Sequence, residues 1–209
     1  MQSDDRDRTK FVVGLGNPGG RYEQTRHNLG FRVLAALCQR WQAGPHRAAF
    51  QGLLWEARIA PPEGDPSARR RVMLLGPQTY MNQSGLAVGE LVRFYKAGPE
   101  DVLMVLDDMA LWPGLLRARA GGSAGGHNGL ADVLRALGTD QVPRLRIGIG
   151  APPPEMDPVD FVLTRFGPEE EPVIESAIQT AAEAVEDWVL YGICAVMDRY
   201  NRKAQQQEP

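Results

Sequence analysis

An unbroken apolar run at Phe11–Leu15 reads as a short buried strand. After it, Phe31, Leu34, Leu37 and Trp41 recur at helical spacing, which predicts a helix from about Asn28 to Trp41. Phe50–Ala60 and Arg71–Leu75 predict strands separated by the turn-rich PPEGDPSA, a hairpin-like loop. Asn82–Lys96 is helical in pattern through Leu86, Leu91, Val92 and Tyr95. Val102–Leu106 is continuously apolar, as in a central strand covered on both faces, and it ends on Asp107-Asp108. Leu115–Ala120 and Arg144–Ile149 predict two more strands, with a helix at Leu130–Leu137 that the run GGSAGGHNG leads into. From Gly167 the pattern is helical and acidic, Pro168 and Glu169–Glu171 suit a helix start, and Gly192 interrupts it before a last turn through Tyr200. Strands alternating with helices predict an α/β fold with helices on both faces of a central sheet. One domain accounts for residues 10–201, with residues 1–9 and 202–209 as flexible polar tails.

At 209 residues the chain can bury a real core, and 43% hydrophobic with 23% charged residues is ordinary for a globular protein. The net charge of -3 makes no global case for nucleic acid, so any RNA contact must come from local segregation of charge. Cys38 and Cys194 lie in apolar helical patterns without metal-ligand spacing and are expected to be reduced core residues. The opening MQSDDRDRTK lacks the apolar segment of a signal peptide, and no run approaches the ~18 residues of a membrane span. A cytoplasmic protein is expected.

The stretch GLGNPGGRYEQTRHNLGF contains Gly14-x-Gly16-x-x-Gly19, the spacing of a dinucleotide loop. Pro18 and the prolonged Tyr22–Thr25 segment delay the helix, and after Glu23 the next acid is Glu56, too far on for a ribose contact. What remains is a turn exposing Asn17, with His27 arriving just before the helix. Taken alone, Asn17 capping a turn and His27 idle at a helix start are equally good readings. Three further stretches add to them: TYMNQSG places Asn82 at a helix start, LMVLDD places Asp107 at a strand end, and GGHNG places His127 and Asn128 in a glycine loop. Asn82 and Asn128 are plausible helix caps, yet the crevice outside strand carboxyl ends is also where α/β sheets bind ligands. No G-x-S-x-G elbow, H-E-x-x-H or cysteine cluster is present, which speaks against a serine nucleophile and zinc. The chemistry that fits is a histidine general base oriented by a carboxylate, with asparagine amides positioning a peptide-like substrate.

GLGNPGGRYEQTRHNLGF, TYMNQSG, VLDD…WPG, GGSAGGHNGL and RLRIGIG together resemble bacterial peptidyl-tRNA hydrolases, from Phe11 to about Asn201. The resemblance implies a single-domain three-layer sandwich with a mixed central sheet, needing no metal and no cofactor; a monomer is expected, although the sequence itself does not reveal the oligomeric state. It implies hydrolysis of the ester between a peptide and the terminal ribose of tRNA, which recycles tRNA from prematurely released chains. His27 matches the catalytic base, Asp107 its partner, and Asn17 the asparagine that helps distinguish a blocked from a free amino group. Tyr22, Tyr80, Met81, Asn82 and Asn128 match positions that contact the peptidyl and 3′-terminal parts of the substrate. The chain departs from the family where Asp108-Met109-Ala110 replaces the common Glu-Leu-Asp, and where Ala124 replaces a frequent histidine.

Between Leu115 and Gly150 stand Arg117, Arg119, Arg135, Arg144 and Arg146 against only Asp132 and Asp140. Alternate strand positions share a face, so Arg117 and Arg119 are expected to project together, as are Arg144 and Arg146. By resemblance these pairs would hold phosphates of the tRNA acceptor stem. Glu155–Asp187 holds Arg165 as its one basic residue and is expected to face away from RNA. Two other readings compete: a non-catalytic RNA-binding relative of the same fold, and a hydrolase of small amides or esters.

Overall fold

The structure, a computed structural model, describes residues 9–61 and 69–205. All but the first residue of the expected loop at 61–68, residues 1–8 of the first expected tail and 206–209 of the second lie outside them; the last helix runs on through 202–205. In chain order the elements are β1 (Lys10–Gly14), α1 (Leu29–Arg40), β2 (Arg47–Ala49), β3 (Gly52–Ile59), β4 (Arg70–Pro77) and α2 (Ser84–Tyr95). They continue with β5 (Val102–Asp108), β6 (Leu116–Arg119), α3 (Asn128–Leu137), β7 (Arg144–Gly148), α4 (Pro158–Val162) and α5 (Glu171–Gln205). The seven strands form one sheet in the order β2-β3-β4-β1-β5-β7-β6. The middle four strands run parallel, β3 on one side and β6 on the other run against them, and the edge strand β2 pairs antiparallel to β3, so the sheet is mixed.

Both faces of the parallel strands are covered, which is why β1 and β5 read as unbroken apolar runs. Val12, Leu74, Leu103, Val105 and Ile147 face one way, into a core completed by Val33 and Leu37 of α1 and by Ile178, Val185 and Trp188 of α5. Phe11, Val13, Met73, Met104 and Leu106 face the other way, against Ala87 and Leu91 of α2 and Leu130 and Val133 of α3. Gly192 breaks α5 as its sequence position suggests, with φ 82° and ψ 176° inside the long helix.

Three details differ from the sequence pattern. Phe50 does not belong to a strand: Phe50 and Gln51, with φ of 53° and 49°, form the two-residue turn between β2 and β3. Two non-glycine residues in that region cost about 1–2 kcal/mol each, and the Phe50 ring recovers packing against Phe94 and Tyr95 at 5.3 and 5.9 Å. The short α4 gives no periodic signal. It is fixed by Pro158 in its first turn and by Asp157, which accepts from the Val159 N–H at 2.7 Å. Cys194 is exposed and Cys38 is partly buried, so Cys194 is not a core residue; after Gly192 it is Val196 and Tyr200 that reach the core.

The glycines of the first loop serve packing. A Cβ on Gly14 would lie 2.3 Å from the Gly30 carbonyl oxygen, and one on Gly16 would overlap the Phe31 ring. A Cβ on Gly30 would lie 2.4 Å from the Leu15 nitrogen and 2.6 Å from the Val105 oxygen. The first turn of α1 therefore rests directly on the backbone of β1 and β5, three residues after His27. Gly30→Ala gains up to ~1 kcal/mol of helix propensity, but it overlaps backbone that has no flexible end to yield. We expect a net loss of about 2–3 kcal/mol, read as a lower urea midpoint at unchanged m-value.

Candidate active site

Parallel strands bring their carboxyl ends to one edge, and the turns that follow β1, β4 and β5 converge there with the loop before α3. Asp107 is the penultimate residue of β5 and is 3% exposed. His27, in a 3-10 turn before α1, brings Nδ1 to 3.0 and 3.1 Å from the two Asp107 oxygens. A carboxylate only accepts, so Nδ1 carries the hydrogen and Nε2 keeps its lone pair. Asp107 has a second partner: Nε2 of His127 stands 3.2 Å from Oδ1. The tautomer of His127 is fixed from behind, because its Nδ1 accepts the Leu130 N–H at 3.2 Å and so caps α3.

Burial works to raise the Asp107 pKa, but the charges and hydrogen bonds of His27 and His127 outweigh it and hold the carboxyl well below the usual carboxylate range. Asp107 is thus an anion at any working pH. The ligand atoms of His27, Asp107 and His127 lie within 4.8 Å of one another, close enough to hold a cation. The donor set does not suit one: with Nδ1 committed to Leu130, His127 presents a proton where a cation needs a lone pair. The trio is two N–H donors converging on one carboxylate.

Asn17 is held just as closely. The carboxamide of Asn28 bridges its backbone, Oδ1 accepting the Asn17 N–H at 2.8 Å and Nδ2 donating to the Asn17 carbonyl at 2.9 Å. The Asn17 side-chain Oδ1 accepts the Met81 N–H at 2.9 Å, which leaves its Nδ2 as the group offered to the cleft. Asn28 and His127 received no role from the sequence pattern. The signal for both was their place beside His27 and Asn128 in polar clusters at element starts.

Asn17, His27, Asp107 and His127 line a cleft of about 780 Å³. Tyr80, Met81, Asn82 and Asn128 share the lining with Asn17 and His27, so the structure brings together four of the five expected substrate contacts. Asn82 and Asn128 are exposed and cap no helix; Gln83 and His127 occupy those positions. Tyr22 stands apart from the lining. Its ring lies under the Arg21 guanidinium at 4.4 Å, and its backbone carbonyl holds the Thr25 hydroxyl.

The arginines separate into two kinds. Arg117 lies opposite Arg146 and Arg119 opposite Arg144 in the β6–β7 register, so all four side chains leave one face of the sheet. Arg144, however, is 2% exposed and donates to the carbonyls of Val142, Gly122, Ser123 and Asp140. Those bonds commit its guanidinium to shaping the glycine loop, and the expectation that it holds a phosphate is corrected accordingly. Arg146 lines the cleft and pairs with Asp108, and Arg119 is exposed. Pro158, Val159, Val162 and Leu163 give the cleft an apolar wall.

An amide at position 107 can accept from one imidazole but must turn its NH2 toward the other. Asp107→Asn is therefore expected to fold and to lose about 10²–10⁴-fold in kcat through the wrong His27 tautomer. Steady-state rates alongside thermal melts check this; a variant within threefold of the parent rate would remove the pair from catalysis.

The peptidyl-tRNA hydrolase family model matches residues 11–208. A peptidyl-tRNA hydrolase of Symbiobacterium thermophilum is 46% identical over 92% of this chain and 98% of its own length, and one of Rhodopirellula baltica is 45% identical over 92% and 97%. The crystal structure of peptidyl-tRNA hydrolase from Acinetobacter baumannii superposes with a TM-score of 0.82 at 32% identity, covering 96% of this chain and 97% of that one. With sheet, cleft and motifs in agreement over almost its whole length, the chain belongs to the peptidyl-tRNA hydrolase family.

Proposed function

We propose that this protein hydrolyses the ester linking a peptide to the terminal ribose of tRNA, with His27 as general base. The observation that carries the reading is the direction of two side chains in the cleft. His27 keeps the Nε2 lone pair because Asp107 takes the Nδ1 hydrogen, and Asn17 offers Nδ2 because Met81 takes its oxygen. A water deprotonated by Nε2 attacks the ester carbonyl, and Asp107 stabilises the imidazolium that forms. An amide donor such as Asn17 Nδ2 stabilises the developing oxyanion, a contribution of roughly 10²–10³-fold in comparable sites. The ribose hydroxyl leaves with the proton that the imidazolium returns, so no covalent intermediate is needed.

The choice of a blocked substrate follows from the same accounting of charges. Among the described residues, the carboxylates lining the cleft are Asp107, held by two imidazoles, and Asp108, paired with Arg146. A free α-ammonium entering the cleft loses water without gaining an anion, whereas a peptide amide meets the carboxamides of Asn17, Asn82 and Asn128. On the RNA side, Arg146, Arg117 and Arg119 offer guanidinium groups to acceptor-stem phosphates. In support, acidic α5 is turned elsewhere: Glu171 and Glu175 pair with Arg32, and Glu186 with Arg40.

Release of peptide from N-blocked aminoacyl-tRNA, with free aminoacyl-tRNA as control, tests the reading. His27→Ala is expected to lower kcat by about 10²–10⁴-fold, and an unchanged rate would exclude His27 as the base. Replacing Arg117 and Arg119 by Ala should leave kcat close to parental and weaken binding. The log–log salt slope should become shallower by about 0.9 for each duplex phosphate that the variant no longer neutralises; an unchanged slope would place the RNA elsewhere.

A further inference from the structure

Arg26 immediately precedes the proposed base, yet its side chain turns away from the cleft and is nearly enclosed. Its Nη1 and Nη2 donate to the two oxygens of Glu170 at 2.8 Å each, its Nε to the Thr164 hydroxyl at 3.1 Å, and its Nη1 also to the Ile149 carbonyl at 3.4 Å. The guanidinium lies between the rings of Phe161 and Phe166, 4.5 and 4.7 Å from their centroids. The backbone adds an Arg26 N–H bond to the Thr164 carbonyl at 2.9 Å and a bridge between Thr25 and Arg165. Glu170 is fixed in turn, accepting the Gly167 N–H at 2.7 Å. One planar fork thus ties the end of β7, α4, the connection after it and the start of α5 to the residue beside His27. A buried guanidinium so committed is hard to replace, since lysine can reproduce neither the fork nor the stacking.

The segment it holds is the apolar wall of the cleft. A five-residue helix cannot sustain itself, and α4 keeps Val159 and Leu163 exposed toward the cleft while Phe161 and Val162 are buried. The His27 ring has its own anchor, Asp107 on β5, which does not pass through this cluster. We propose that Arg26 is a positioning residue that holds the α4 wall against the catalytic turn, so that it governs the grip on the peptide half of the substrate and leaves the proton transfer alone. This rests on the peptidyl-ester reading of the cleft.

Arg26→Lys and Glu170→Gln, assayed with a tRNA carrying a peptide of several apolar residues, test it. The expected result for each is a KM raised about 10-fold, kcat within about threefold of parental, and an unmoved pH profile of kcat. Amide hydrogen exchange across residues 158–166 should quicken by about 10-fold or more, with β5 unchanged. A fall in kcat that matches or exceeds the change in KM, or a shifted pH profile, would make Arg26 a support of the base and overturn the proposal. Parental KM and exchange in both variants would overturn it as well. If Arg26→Lys does not fold, Glu170→Gln carries the test. Should the parent protein leave blocked aminoacyl-tRNA intact, the peptidyl-ester reading fails, while the exchange comparison still decides whether the fork holds α4.

Discussion

A carboxylate buried at the end of a central strand is the constraint that the rest of the site obeys. Removing the Asp107 charge from water costs several kcal/mol unless donors replace its hydration. Two imidazole N–H groups do so, and each is supplied by a different segment: the turn entering α1 and the loop entering α3. Satisfying this one group therefore fixes where both segments sit relative to β5. The close contact of Gly30 with the backbones of Leu15 and Val105 makes the approach on the α1 side possible, and the Leu130 N–H orients the ring on the α3 side. Preorganisation here has a plain physical origin: the acid needs its donors, and once they are in place a lone pair on His27 faces the cleft.

Much of this was legible in the sequence because apolar pattern and polar strand ends are strong signals. The unbroken run at Val102–Leu106 requires a strand covered on both faces, and Asp107 directly after it must lie at the sheet's rim. The glycine spacing at Gly14 and Gly16 was equally informative once Pro18 excluded a helix opening at the loop; the structure assigns those glycines to the α1 contact. The parts that pattern did not reveal depend on long-range partners. His127 and Asn128 are neighbours of equal polarity, and only the Leu130 N–H and Asp107 decide that the first is a cap and the second a cleft residue. Arg144 and Arg146 share a face, but only the position of the 122–123 carbonyls separates a guanidinium spent on backbone from one paired to Asp108 at the cleft. The β2–β3 turn escaped because Phe50 and Gln51 carry no turn signature.

The departures from the family's usual residues acquire a physical setting as well. Asp108 accepts the Ala110 N–H at 2.9 Å and pairs with Arg146, so the shorter acid closes its own turn and still neutralises the arginine. Ala110 adds no charge to the rim. Among the described residues, both acids that line the cleft are paired, Asp107 with two imidazoles and Asp108 with Arg146. Such pairing suits an active site that must admit a polyanion beside a buried carboxylate.

The β6–β7 edge argues in the same direction. Placing Arg117 opposite Arg146 and Arg119 opposite Arg144 puts like charges at cross-strand positions, an arrangement that destabilises a sheet. Burial first, and then the nearby charge of Arg146, lower the pKa of Arg144. Four backbone carbonyls offset the repulsion for Arg144 and Asp108 offsets it for Arg146, yet Arg119 remains exposed at the edge. On the proposed reading, a polyanion lying across this face would relieve that repulsion, so the register of two strands would contribute to binding. On the function proposed above, an acceptor stem crossing β6 and β7 would come in with its 3′ end toward His27, because Arg146 of β7 lines the cleft that His27 also lines.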